Sequence, residues 1–388
     1  MLLLTNQDVL RILTMEKCLD AVEESTRRIG QGQLVKWNAG RVIEETGSFG
    51  GQTSIYTLRL RPVFDLVDGV AILRLNSWSN VALDMYGATR HVIAPIAGER
   101  NPHNSEKSGW LHLYDMATGR LLAIVQDRDI QVMRVGSVGG LCAKYMARSD
   151  SRTIGVIGAG WMARTLLLAH CLVRDIKSVK VYSPNPNNRS RFCEQIKMQL
   201  KMEVTPVSSA QEAVRGADIV ISGTNSAEPT FDPGWIEKGM HVHCVTGAEY
   251  DERMVEKADL IAWTYPESSQ YDYGGDETKI TGNPQEEKLA ARKRGYAGYR
   301  TAGWRLLEDY ASKRVYLTDI IQGRAKGRDN EKQITFSPSP AGASSLVIRF
   351  AVLLPRLYEE AKRRGIGHDL PEEWFHQEEA TYPDYQLR

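Results

Sequence analysis

The chain has 388 residues, 42% apolar and 25% charged, with 49 Lys plus Arg against 48 Asp plus Glu. That length exceeds the usual size of one core and implies about two to three domains. The residue balance excludes a disordered chain, a collagen-like repeat and a membrane bundle. A net charge of +1 gives no overall field to gather nucleic acid or an anionic membrane, so neither is an expected partner.

The opening Met1-Leu2-Leu3-Leu4-Thr5-Asn6-Gln7-Asp8 has no basic flank and turns polar after three leucines. It reads as neither a signal nor a transit peptide. Five scattered cysteines with no CxxC pair read as reduced thiols, so a cytoplasmic location without structural zinc is expected.

Thr5 and Thr14 read as helix N-caps, and Met15, Cys18, Leu19, Val22 and Ile29 follow helical spacing up to Gly30. Strand character follows at 54–58, 69–75 and 110–115. The last is predicted to pair with 120–125 across Met116-Ala117-Thr118-Gly119, a hairpin signal. The polar segment 77–108 reads as a long loop or lid. Residues 130–146 read as a helix with Met133, Val138, Leu141, Cys142 and Tyr145 along one stripe.

Beyond Ser149-Asp150-Ser151 the pattern becomes strand, helix, strand, helix. Short apolar strands are predicted at 153–157, 179–182, 218–222 and 242–245, with helices at 161–174 and 186–200. Such alternation predicts a parallel sheet covered on both faces. His241 and His243 fall at the fourth of these strands, where they are expected on opposite faces and unable to share a metal. Residues 265–303 read as an excursion from the sheet, and 346–364 as a helix returning to the first domain.

The strongest motif is Gly158-Ala159-Gly160-Trp161-Met162-Ala163, a GxGxxA turn between a strand and a helix. Gly158 allows the tight turn, Gly160 lets the main chain approach a pyrophosphate, and Ala163 keeps helix and sheet close. The helix N-terminus supplies N–H groups to the phosphates. The second strand ends in Val181-Tyr182-Ser183-Pro184-Asn185, without the acid that binds a ribose 2′-hydroxyl in NAD sites. Ser183 and Asn185 can donate to a 2′-phosphate and Arg189 can balance its charge, which favours NADP(H), with NAD(H) as the alternative. Thr224, just past the 218–222 strand, completes the cofactor set.

Taken together, the chain resembles the ornithine cyclodeaminase/mu-crystallin family. The resemblance runs through Leu58-Arg59-Leu60-Arg61-Pro62, the 110–125 hairpin, Ile130-Gln131-Val132-Met133-Arg134-Val135-Gly136, Ala143-Lys144-Tyr145-Met146-Ala147-Arg148 and the glycine turn to Gly239-Met240-His241-Val242. It implies an α/β architecture: a Rossmann doubly wound parallel sheet (130–321) inserted into a discontinuous α+β substrate and dimerisation domain (1–129 with 322–388). It also implies a homodimer and hydride transfer between NAD(P) and the Cα of an imino or amino acid. The expected substrates are a small carboxylate-bearing imine, an amino acid, or a 2-oxo acid with an amine.

Matched to the family's positions, Arg41 and Arg134 are its substrate arginines. Arg74 stands where the family has an active-site lysine, and Glu249 is nearest to its acid after the fifth strand. Arg41, Arg74 and Arg134 would hold the carboxylate, since planar guanidinium forks bind it bidentately. Arg74 and Glu249 are the catalytic candidates, although arginine does not readily release a proton. Two alternative readings are a cyclodeaminase lyase that recycles bound NAD(P) and releases ammonia, and a non-catalytic NADP-binding protein of the mu-crystallin kind.

Overall fold

The computed structural model describes residues 1–37, 40–49, 52–85, 88–93, 108–226, 228–263, 272–273, 310–338 and 345–376. Its alternating and helical patterns resolve into two sheets joined by one buried helix. The first sheet has ten strands. At its centre Gln52–Asp65 pairs antiparallel with Val70–Met85, which pairs with Ser108–Asp115, which returns as Leu121–Gln126. Asp115 shapes that expected hairpin by accepting from the Ala117 and Thr118 N–H groups at 2.7 and 3.1 Å.

The helices Asn6–Ile12 and Met15–Gly30 are opened as expected by Thr5 and Thr14, which accept from the Asp8 and Lys17 N–H groups. Their buried Val9, Ile12, Leu19 and Val22 pack with Leu111 and Leu113 of the sheet in one core. The chain's last helical stretch closes that core, but as two helices, Ser345–Ile348 and Leu353–Arg364. Between them, consecutive Arg349 and Phe350 are both buried.

The polar segment after Ser77 is partly strand rather than loop. Val70–Met85 runs on past Ser77 and pairs with Ala88–Ile93, Met85 opposite Ala88. Backbone pairing satisfies a strand whatever its side chains, so polarity alone misleads here. Residues 94–107 lie outside the described residues. So does the expected excursion at 265–303, apart from Asp272–Tyr273, which pair with Lys36 and Trp37 at the sheet edge.

The second sheet has eight strands, all parallel where they pair. Glu203–Pro206, Ser178–Tyr182 and Thr153–Ile157 lie to one side, and Ile219–Ser222 and His241–Cys244 to the other. Thr335–Pro338 then inserts before Leu260–Trp263 and Arg314–Tyr316, so the sheet draws on chain beyond residue 321. One face packs Ile154, Val156 and Ile221 under Leu166 and Phe192; the other packs Val220 and Val242 with Met254 and Phe336. Strand order reverses at Thr153–Ile157, and the crevice at such a reversal is where open α/β sheets bind ligands.

His241 and His243 share a face of their strand, as residues two apart must, which corrects the opposite-face expectation. Ser337 Oγ lies 2.8 Å from His243 Nδ1 and 3.3 Å from His241 Nε2. Among the described residues no group of three or more His, Cys, Asp or Glu is arranged to hold a metal, and no helix is long and apolar enough to cross a membrane.

The joining helix, Arg128–Met146, is buried nearly all round. Met133 and Leu141 belong to the first core. Gly136 and Gly140 press against the helix Trp161–Val173: a Cβ at Gly136 would lie 2.5 Å from the Thr165 carbonyl, and one at Gly140 2.7 Å from Ala169 Cβ. Only glycine permits that approach, and it fixes the joining helix against the nucleotide-type sheet.

Candidate active site

At the end of Thr153–Ile157, Gly158 takes φ +115°, and its N–H donates to the Tyr182 carbonyl at 2.8 Å. A Cβ there would lie 2.5 Å from the Gly223 oxygen. The helix Trp161–Val173 then starts at Gly160 with no side-chain cap and no acid in its first turn. A Cβ at Gly160 would meet nothing within 4 Å. Ala163 is buried against Gly223, while Ala159 and Met162 are half-buried. Uncapped helix N–H groups, open space at Gly160 and the absence of a carboxylate fit a pyrophosphate. Trp161 is 59% exposed, and the Arg128 guanidinium sits 5.3 Å from its ring centroid.

The second strand's end carries no carboxylate. Arg189 Nη1 donates to the Ser183 carbonyl at 2.8 Å, and its guanidinium lies 5.8 Å from the Tyr182 ring. Asn185 Oδ1 accepts from the Asn188 N–H at 3.0 Å, capping the helix Pro186–Leu200. The structure therefore brings Ser183 and Arg189 together, while Asn185 serves as a helix cap.

Glu249 is fully buried at the sheet's C-terminal edge. One carboxylate oxygen accepts from the Thr224 N–H and hydroxyl at 2.5 and 2.8 Å. The other accepts from the Val245 and Thr246 N–H groups at 2.7 and 2.9 Å. Burial pushes its carboxyl up to about 7, against hydrogen bonds from Thr246, Thr224 and Ser222 that pull it down. Glu249 thus ties together the loops after Ile219–Ser222 and His241–Cys244, and Thr224 spends both donors on it.

The first sheet carries the second half of the site. Thr57, Arg59, Arg61, Val63 and Asp65 alternate along the buried face of Gln52–Asp65, whereas Leu60 on the other face is 40% exposed. Arg61 stands opposite Arg74, and Arg59 opposite Asn76. Arg41 pairs with Arg59 in backbone register; its side chain lies outside the described residues. Arg134, wholly buried, reaches this face from the joining helix. The Arg74 and Arg134 guanidiniums each lie 5.3 Å from the Phe350 ring centroid, and buried Arg349 precedes that ring.

Arg74 donates from Nε to Asp127 Oδ2 at 2.8 Å, with Nη2 2.6 Å from the same oxygen, and Asn76 Nδ2 donates to it at 2.8 Å. Arg134 Nη2 donates to Gln131 at 2.7 Å, while its Nε and Nη1 make no hydrogen bond among the described residues. Burial holds the Arg134 guanidinium well below its ordinary value, and Arg74, Arg349 and Arg61 lower it further against Asp127. A buried donor pair in a net repulsive cationic field calls for an anion. The structure brings Arg74 and Arg134 together as expected. Asp127, Arg59, Arg61 and Arg349 have no assigned role in the sequence reading, although Arg59 and Arg61 lie in its Leu58–Pro62 stretch; the signal available is arginine on the alternate positions of a strand. Six residues, roughly 9 Å along the helix axis, separate Arg134 from Arg128 beside the glycine turn.

Residues 100–342 match the model of the ornithine cyclodeaminase/mu-crystallin family. Delta(1)-pyrroline-2-carboxylate reductase of Bacillus cereus is 26% identical over 268 residues, covering 68% of this chain and 74% of that protein. Alanine dehydrogenase of Archaeoglobus fulgidus is 26% identical over 380 residues, 94% and 97% of the two chains. The solved structure of Thermococcus litoralis Delta(1)-pyrroline-2-carboxylate reductase, in complex with NADH and L-proline, superposes with a TM-score of 0.70. It is 26% identical and covers 95% of this chain and 100% of that one.

Proposed function

The chain belongs to the ornithine cyclodeaminase/mu-crystallin family, and on that premise we propose that it is an NAD(P)H-dependent oxidoreductase acting on the C=N or CH–NH2 group of an imino or amino acid. The observation that carries this is Arg134: buried, with two nitrogens lacking hydrogen-bond partners among the described residues, on the helix whose first residue touches the glycine turn. The relatives named above include imine-reducing and amino-acid-oxidising enzymes, which supports the same reading.

Gly158, Ala159, Gly160, Trp161, Met162 and Ala163 would hold the cofactor's pyrophosphate, and Ser183 and Arg189 its adenosine ribose. The missing acid and the Arg189 charge favour NADP(H). When bound, the nicotinamide supplies or takes up the hydride. Arg134, Arg74 and Arg41 would hold the substrate carboxylate and so fix the reacting carbon. An arginine does not readily release a proton, so the role of Arg74 is to orient the substrate. Glu249, with a carboxyl near 7, is the group suited to hold or move a proton near neutrality. Its four accepted hydrogen bonds also keep the Thr224 and Thr246 loops in place beside the cofactor crevice.

The outer face of the first sheet supports a homodimer. Leu58, Leu60, Pro62, Leu73 and Leu75 lie there half-buried or exposed, an apolar patch suited to a second copy. Five unpaired cysteines accord with a cytoplasmic location.

The test is NADPH oxidation, followed by loss of absorbance, across 2-oxo acids with ammonia or small amines and across cyclic imines. Turnover of at least one carboxylate-bearing imine is expected. Ammonia release from ornithine without net NADPH change would instead make the protein a lyase, and tight NADPH binding with no turnover would make it a binding protein.

A further inference from the structure

We propose that Arg128, stacked on Trp161, is a cofactor-binding residue that meets the dinucleotide pyrophosphate from outside the glycine turn. This rests on the NAD(P) reading of that turn and extends it to the first residue of the joining helix. A pyrophosphate bridge carries negative charge on each phosphate, yet 158–163 contains no basic side chain. Arg164, the next basic residue, is engaged elsewhere: its Nη1 and Nη2 donate to Gln195 and Gln199 at 3.2 and 2.6 Å. The uncapped N–H groups opening Trp161–Val173 offer only a partial positive charge. The turn by itself therefore leaves most of the ligand's charge unmatched.

Arg128 is placed to match it. Its guanidinium lies 5.3 Å from the ring centroid of Trp161, the first residue of the phosphate-side helix. The Arg128 side chain is 54% exposed, so a ligand entering from solvent can reach it. Its Nε and Nη2 donate to Asp129 Oδ2 at 3.3 and 2.9 Å, and its Nη1 makes no hydrogen bond among the described residues. Solvent screens that ion pair, so the guanidinium is released to a phosphate at small cost. Local helix stability does not account for an arginine here, because the helix dipole opposes a cation at the first position. The backbone beneath it is fixed: the Asp129 N–H donates to Asn6 Oδ1 at 3.3 Å, and the Asn6 N–H to Gln126 Oε1 at 2.8 Å. Stacking on the indole restricts the planar fork. A pre-oriented charge thus stands beside the turn, which grips the pyrophosphate by main chain while the joining helix holds it by Arg128.

The test is binding rather than turnover. Dissociation constants for NADPH and NADH are read from quenching of their fluorescence, in wild type and Arg128→Gln, at low and high salt. Both dinucleotides carry the same pyrophosphate, so Arg128→Gln should raise both constants about tenfold. The weakening of binding by salt should also shrink in that variant. Arg128→Lys, which keeps the charge but not the fork, should recover part of the loss. Trp161→Leu, which removes the stacking but not the charge, should raise both constants less than Arg128→Gln does. Unchanged constants in Arg128→Gln overturn the proposal. A loss confined to NADPH also overturns it, by assigning Arg128 to the 2′-phosphate. So does a loss with unaltered salt dependence, which would make the role of Arg128 structural. A wild-type protein that binds neither dinucleotide overturns the NAD(P) reading itself, whereas one that binds both, with Arg128→Gln binding equally well, overturns this proposal alone.

Discussion

The Asp127 carboxylate lies at the N-cap of the joining helix yet turns away from it, taking Arg74 Nε at 2.8 Å and Nη2 at 2.6 Å on a single oxygen. It makes no side-chain cap for that helix. The pair is buried on both sides, so removing one partner strands the other's charge in the interior. Asp127→Ala should therefore cost about 3–5 kcal/mol of stability, read as a lower urea midpoint at unchanged slope. Asp127→Asn, which keeps one acceptor oxygen for Arg74, should cost less. A loss under about 1 kcal/mol for the alanine variant would be the size of an exposed pair and would mean that Arg74 is held by something else.

Gly158 and Gly160 separate folding from cofactor binding. At Gly158 a methyl group would run into the Gly223 carbonyl at a φ of +115°, so Gly158→Ala should lower stability by about 1–3 kcal/mol. At Gly160 the backbone is extended and a methyl group meets no protein atom. Gly160→Ala should leave Tm nearly unchanged and weaken NADPH binding tenfold or more, measured by quenching of NADPH fluorescence. Unaltered affinity would remove the pyrophosphate from this turn.

These two glycines were legible because strand, turn and helix are contiguous and each residue acts locally. The hairpin at Asp115 and the threonine caps were legible for the same reason. The arginine face was not. Alternation along Leu58-Arg59-Leu60-Arg61 ordinarily buries the leucines, whereas here Arg59 and Arg61 face inward and Leu60 outward. That inversion marks a polar site inside one face and an apolar contact on the other, and neither follows from a single strand. Asp127 meets Arg74 across 53 positions, a pairing set by sheet register rather than local pattern. Arg134 was found only through the family resemblance, since helical periodicity places it without saying what surrounds it.

Arg189 bears on the choice of dinucleotide. It lies between Tyr182 and the Ser183 carbonyl where NAD-specific sites carry an acid. Arg189→Ala should raise the NADPH dissociation constant about tenfold, the loss of one charge-assisted contact, while changing NADH binding little. The ratio of the two constants is the readout, and equal weakening of both would assign Arg189 to holding the strand end.

Three buried histidines set the response to acid. His170, His241 and His243 are fully buried, the His170 and His243 rings 6.0 Å apart. Burial lowers His170 to about 4 and holds the other two well below 6.5. Mutual repulsion and the nearby Arg174, Arg328 and Arg349 lower them further. Each protonates more readily unfolded than folded, so the stability they allow is complete above about pH 6.5 and lost as pH falls toward 4. Glu249 has the opposite sign: its carboxyl near 7 lies above the unfolded value, so its contribution grows as pH falls through 7. With His112 also lowered by burial, the histidines outweigh Glu249 and stability falls as the pH drops below about 6.5. Urea unfolding between pH 8 and 5 should show that decline. His170→Gln, which keeps a donor for the Leu166 carbonyl bonded at 2.7 Å, should remove about one proton from the slope, and an unchanged slope in that variant would exclude His170 from the response.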